Sequence, residues 1–322
     1  MTTDFLTAFH GSSPVPKVPL VALVESVMSA EVQGLERITK GYANEVYRVA
    51  LSQGPPVYVR IRRHGRVAFA DEAWALEACR RAGVLVPTVH TVTTLEAPEP
   101  LEVMILAAVP GRPLGEVWDG LPEVSRRQVM TRVGAALRVM HGIALDGWGR
   151  RGAGAAWEYG DWKTRAVSDV RDRETDMPTL REVGFTRAET DSFMAIVRQM
   201  TDLSAAPPIL CHGDLGLDHL FVDDALNLTG IIDFGMWQGG PRELDFAMLR
   251  MYHPDVPLGW LESGYSEVPL DREFDRRVLI EQINVGTGFL AFDVRRGNVD
   301  YLPLAFDGLR GTLRAWEELE RG

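Results

Sequence analysis

Cysteine is almost missing from this chain: Cys79 and Cys211 are the only two in 322 residues. Two thiols do not make the disulfide framework of a small secreted domain, nor by themselves the ligand set of a zinc cluster. Positive charge is also short, with 34 Lys and Arg against 45 Asp and Glu and a formal net charge of −11. Such a balance lacks the basic footprint that displaces counterions from a phosphate backbone, so no nucleic-acid partner is expected. Arg60, Arg62, Arg63, His64 and Arg66 form a local basic cluster, but no series of aromatic residues accompanies it for base stacking. No segment approaches the roughly 20 apolar residues that span a bilayer, and the opening residues lack a signal peptide's basic start and apolar core. The expectation is a cytoplasmic protein with no membrane association. A Gly-x-x-x-x-Gly-Lys-Ser/Thr phosphate loop is absent too, as are internal repeats and low-complexity tracts.

What remains is ordinary globular composition, 46% hydrophobic and 25% charged, in a chain long enough for one large domain or two lobes. Residues 24–38 show a weak helical pattern. Period-two alternation in Val46–Ala50 and Pro56–Ile61, separated by Gly54, Pro55 and Pro56, predicts a hairpin. A helix is expected over 70–81, stopped by Gly83 and Pro87, and strands over 88–94 and 101–107. After the turn Val109-Pro110-Gly111-Arg112-Pro113 the pattern becomes helical, with Val129, Val133, Leu137 and Met140 on one face of a helix over 124–141. Further helices are expected over 187–200, 272–290 and 305–320. The stretch 145–170, rich in Gly and Trp, reads as a long loop or short helical insertion able to wall a substrate. The fold class is α+β, with a strand-rich part over 1–108, including an N-terminal extension, and a mainly helical part over 109–322. A monomer or homodimer is expected.

The chemistry concentrates between 208 and 250. Short apolar segments there run into His212-Gly213-Asp214, Asp218-His219 and Ile231-Ile232-Asp233-Phe234-Gly235. Carboxylates suit Mg2+, and a carboxylate beside a hydroxyl can orient it and take its proton. The alternative is that Asp214 and Asp218 form turns and Asp233 caps a strand end.

Taken together, these spacings resemble the aminoglycoside and macrolide phosphotransferase family, within the protein-kinase-like superfamily that includes choline kinase. The resemblance implies a bilobal kinase-like fold with a strand-rich nucleotide lobe and a larger helical lobe. It implies Asp214 as the catalytic carboxylate, Asp233 as the principal Mg2+ ligand and His219 at the second metal position, where Asn is common. His212 would buttress the loop and Asp245 would cap a helix or fix that loop. In the first half, Gly41 and Asn44 match a short phosphate-covering loop. Arg60 stands where a phosphate-binding Lys is usual, with Arg62 as the alternative, and Glu72 would pair with it, with Glu77 in reserve. Met104 and Ala107 fall in a segment, 104–111, that resembles the inter-lobe link contacting the nucleobase. The implied reaction transfers the terminal phosphoryl group of ATP or GTP, with Mg2+, to a hydroxyl of a small molecule. An antibiotic (aminoglycoside, macrolide or nucleoside) is the first acceptor class. A metabolic kinase for a sugar, choline-like alcohol or nucleoside is the alternative, as is a nucleotide-binding pseudokinase. Glu262, Glu267, Asp271 and Glu281 are candidates to attract a polycation, and Trp157, Trp162, Trp237 and Trp260 to give flat contacts.

Overall fold

The computed structural model describes residues 14–39, 44–63, 68–96, 99–204, 206–265, 270–299 and 302–321. Gly41, His64, Arg66 and Glu267 lie outside them. The first part is a five-stranded antiparallel sheet in the order β1 (Val32–Ile38), β2 (Asn44–Leu51), β3 (Val57–Arg62), β5 (Pro100–Ala107), β4 (Val89–Glu96). Period-two alternation decides its two faces. Val57, Val59 and Ile61 of β3 and Val103 and Ile105 of β5 enter one core, covered by Leu20 and Val24 of helix α1 (Lys17–Met28). Arg60 and Met104, paired across β3 and β5, take the opposite parity, and Met104 joins the core that holds helix α2 (Phe69–Ala82).

Two expectations change here. Residues 32–38 are a strand, because they pair along β2 and pack Val32 and Leu35 against the sheet's core, which outweighs a weak helical pattern; the helix ends at Met28, followed by Ser29 in a left-handed conformation. The 104–111 segment does not act as a link throughout. Met104–Ala107 is the end of β5, and Met104 is fully buried.

The chain then passes through β6 (Arg112–Pro113), which pairs with β10 (Leu220–Val222), itself paired with β11 (Leu228–Ile231). Helix α3 (Glu123–His141) buries Val129, Val133, Leu137 and Met140 as its periodicity predicts. Residues 145–170 are more ordered than expected: β7 (Trp148–Arg151) and β8 (Trp157–Tyr159) form a small sheet with β9 (Ile209–Cys211) and β12 (Gln238–Gly240). From Trp162 the chain is already in helix α4 (Trp162–Glu182), capped by Asp161, whose carboxylate accepts from the Thr164 amide. The remaining helices are α5 (Arg187–Val197), α6 (Glu243–Tyr252), α7 (Gly259–Tyr265), α8 (Arg272–Arg295) and α9 (Leu302–Arg321). Helices α4, α5, α8 and α9 share a second core around Leu180, Phe193, Ile280 and Ile283. Among the described residues no helix is long and apolar enough to cross a membrane.

Candidate active site

Three polypeptide turns bring the acidic motifs together. β9 ends at Cys211 and delivers His212, Gly213 and Asp214 into a loop. Gly213 has φ of +76°, and a Cβ there would collide with the Met236 carbonyl, so both conformation and space require glycine. β10 and β11 return the chain to Asp233, itself left-handed at φ 64°, next to that loop. The Ile232 amide donates to the His219 carbonyl at 2.9 Å, and the Ile232 carbonyl accepts from His212 Nε2 at 2.8 Å.

Hydrogen bonds fix the protons on the surrounding histidines. His212 Nε2 faces a carbonyl and must donate, while its Nδ1 accepts from the Asp214 amide at 3.2 Å. Burial holds this ring below the ordinary histidine range. His219 Nδ1 donates to the Asp214 carbonyl at 2.7 Å, and its Nε2 lies 3.9 Å from Asp233 Oδ2. His253 has the opposite polarity to His212, because its Nε2 accepts from the Leu217 amide at 3.0 Å, and burial again lowers its affinity for a proton. Nitrogen-detected NMR at pH 6.5 is therefore expected to show His212 neutral with its proton on Nε2 and His253 neutral with its proton on Nδ1; a charged ring at either position contradicts the network.

From the strand-rich lobe, Arg60 reaches Asp233 Oδ1 at 3.1 Å with one guanidinium nitrogen and Glu72 of α2 with the other. Burial alone pulls the guanidinium down, but the two carboxylates raise it and keep it charged. Burial likewise pushes Asp233 up, yet the Arg60 guanidinium, with a hydrogen bond from the Gly235 amide, holds it below the ordinary carboxylate range. Burial pushes Glu72 up against the pull of Arg60. Both alternatives are spatially elsewhere: Arg62 pairs with Glu102 at 2.6 Å, and Glu77 is engaged by Arg80 and Arg81 on the surface of α2. Asn44 opens β2 opposite Arg62, Ala107 closes β5 opposite Val57, and Met104 sits in the core beneath Arg60.

The loop has a buried support. Asp245, in the first turn of α6 and fully buried, accepts from the His212 amide at 2.9 Å, the Gly213 amide at 2.8 Å and His141 Nε2 at 3.0 Å. Burial pushes its carboxyl up, but the His141 hydrogen bond and the Gly213 amide outweigh it and leave it lowered. His141 closes the chain of contacts on the Tyr265 hydroxyl at 2.8 Å. At the far end of α6, Tyr252 donates its phenolic proton to Asp214 Oδ1 at 2.6 Å. His141, Tyr252 and His253 were not among the residues singled out from sequence. None lies in a local motif, and the only available signal is polar side chains near helix ends.

The expected acceptor contacts fare differently. Trp237 is buried and packs between Trp74 and Trp157, Trp162 packs on Trp148, and Trp260 on Trp118. Asp271 caps α8, and Glu281 is buried with Arg165 at 3.4 Å. Trp237, Trp162 and Trp260 thus pack on other tryptophans, Asp271 serves a helix end and Glu281 a buried ion pair.

Asp233 is thus flanked by the His219 ring at 3.9 Å on one oxygen and by the Arg60 guanidinium at 3.1 Å on the other. A family model described as "Phosphotransferase enzyme family" matches residues 34–268. No curated protein matches by sequence. Among solved structures, aminoglycoside phosphotransferase APH(4)-Ia is 17% identical with a TM-score of 0.71, covering 93% of this chain and 99% of its own. A candidate fructosamine-3-kinase from Thermobifida fusca is 22% identical with a TM-score of 0.64, covering 92% and 98%. Aminoglycoside 2'-phosphotransferase-IIIa in its GDP complex is 15% identical with a TM-score of 0.68, again covering 92% and 98%. These structures share the bilobal kinase-like fold.

Proposed function

The chain belongs to the phosphotransferase enzyme family, and from that premise we propose that it moves the terminal phosphoryl group of ATP or GTP onto a small-molecule hydroxyl at a site centred on Asp214 and Asp233. The observation that carries this reading is the meeting of Arg60 and Asp233 across the two lobes at 3.1 Å, beside the loop that presents Asp214. Asp214 orients the acceptor hydroxyl and takes its proton as the oxygen attacks phosphorus and the bond to the departing nucleoside diphosphate breaks. Arg60, held by Glu72, offers its guanidinium to phosphate oxygens. Asp233 and His219 would hold a Mg2+ ion, which would supply neutralisation of the phosphate charge. Gly41 and Asn44 are assigned to covering the phosphates, and Ala107, at the end of β5, to the nucleobase side of the cleft, with Met104 backing that wall from the core. The lobes divide near residue 108, where β5 gives way to the segment leading into β6.

The first acceptor class is an antibiotic: an aminoglycoside, macrolide or nucleoside. A sugar-amine or related metabolite is the second, favoured by the 22% identity to the candidate fructosamine-3-kinase. The deciding experiment is transfer of labelled terminal phosphate from ATP and from GTP, with Mg2+, to separate pools of these acceptors. A labelled product from one pool identifies the class. Nucleotide binding with no product from any pool overturns both acceptor readings.

A further inference from the structure

Helix α6 touches the catalytic loop at both of its ends. Its first turn supplies Asp245, which binds the His212 and Gly213 amides. Its last residue is Tyr252, and the next is His253. Tyr252 Oη lies 2.6 Å from Asp214 Oδ1, and His253 Nε2 accepts from the Leu217 amide at 3.0 Å. The seven-residue separation of Asp245 from Tyr252 corresponds to roughly 10 Å of helix, so one rigid element brackets the loop. Gly216 lies between the two distal contacts, and a Cβ there would come within 3.2 Å of the Tyr252 ring. The half-exposed ring thus lies beside the loop backbone at Gly216, with its hydroxyl on Asp214. Among the described residues Asp214 Oδ2 has no hydrogen bond, so the phenol occupies one carboxylate oxygen and leaves the other to meet a substrate.

We propose that Tyr252 is a positioning residue for phosphoryl transfer: its phenol holds Asp214 Oδ1 so that Oδ2 is presented to the acceptor hydroxyl. This rests on the assignment of Asp214 as the carboxylate that takes the acceptor's proton. A carboxylate rotating freely about its side-chain torsions spends most of its time misdirected, and small misplacements of a reacting group cost large factors in rate. The opposite role, a phenol standing in the acceptor's place and expelled by it, predicts a faster enzyme or a lower acceptor KM when the hydroxyl is removed.

The test compares Tyr252→Phe, which keeps the ring on Gly216, with Tyr252→Leu, which keeps neither ring nor hydroxyl. The readout is ADP release from ATP with Mg2+, measured with water alone and with the aminoglycoside and sugar-amine pools as acceptors. For Tyr252→Phe, kcat is expected to fall about 10- to 100-fold, the range for losing a hydrogen bond to a charged group, while KM and Kd for ATP stay within about twofold. In an Asp214→Ala background the same substitution is expected to cost nothing more, because both changes act through one carboxylate. A Phe variant with wild-type kcat beside a slow Leu variant assigns the effect to ring packing and overturns the proposal. A faster Phe variant overturns it in favour of the stand-in role, and an equal further loss in the Asp214→Ala background assigns a general structural effect. If Asp214→Ala itself keeps wild-type activity, the assignment of Asp214 fails, and the proposal with it.

Discussion

Asp214→Ala is expected to reduce phosphoryl transfer by about 10²- to 10⁴-fold, the range for removing a positioned general base, while ATP binding stays near wild type. The separation follows from where the contacts lie. The proposed phosphate contact, Arg60, is held by Glu72 and Asp233, and neither interaction involves the Asp214 side chain. The side chain of Asp214 is bonded instead to Tyr252, and its backbone amide and carbonyl, which survive the substitution, bond His212 and His219. Isothermal titration with ATP beside a transfer assay reads the two quantities independently. Transfer within about tenfold of wild type removes Asp214 from the proton-accepting role, and parallel loss of binding and transfer assigns it to maintaining the cleft.

Asp245→Ala is expected to be the most destabilising single change at the site. It leaves two amides and a histidine nitrogen without their acceptor in a fully buried place. Breaking such a buried polar cluster costs about 3–5 kcal/mol, equivalent to a fall in melting temperature on the order of 10 °C in a chain of this size. Because the folded Asp245 carboxyl is lowered from 3.8, the unfolded chain protonates first on acidification. The stabilisation from this group is therefore complete at neutral pH and is lost only as the pH falls below 3.8 through the folded value. Thermal melts at pH 7 should show the full difference between wild type and Asp245→Ala. A difference below about 1 kcal/mol at that pH contradicts the role of Asp245 as the loop's support.

The same network separates what local pattern reveals from what it hides. Asp214 and Asp233 are visible in sequence because each closes a short apolar strand with a fixed spacing to its neighbours, and the backbone turns that carry them are local. Arg60 is visible as a strand residue, but the choice between it and Arg62 is not, since both share strand parity. Glu102 engages Arg62, and α2 sets Glu72 against Arg60. Residues 32–38 were misread because pairing with β2 is a contact between segments, whereas a helical pattern is read within one. The aromatic residues mislead for a similar reason: Trp237 has the chemistry to stack on a ligand, but the fold surrounds it with Trp74 and Trp157.

By itself, then, the sequence determined the two-part α+β architecture and the spacing of the acidic pair, because alternation, helical periodicity and motif spacing act over a few residues, and it pointed to the kind of reaction through its resemblance to a phosphotransferase family. Only the tertiary structure decided which arginine meets Asp233, how Asp245 supports the loop and that Tyr252 reaches Asp214. Those choices depend on residues separated by 173, 32 and 38 positions. Such partners are joined by packing of helices and sheets in three dimensions, for which no local pattern stands in.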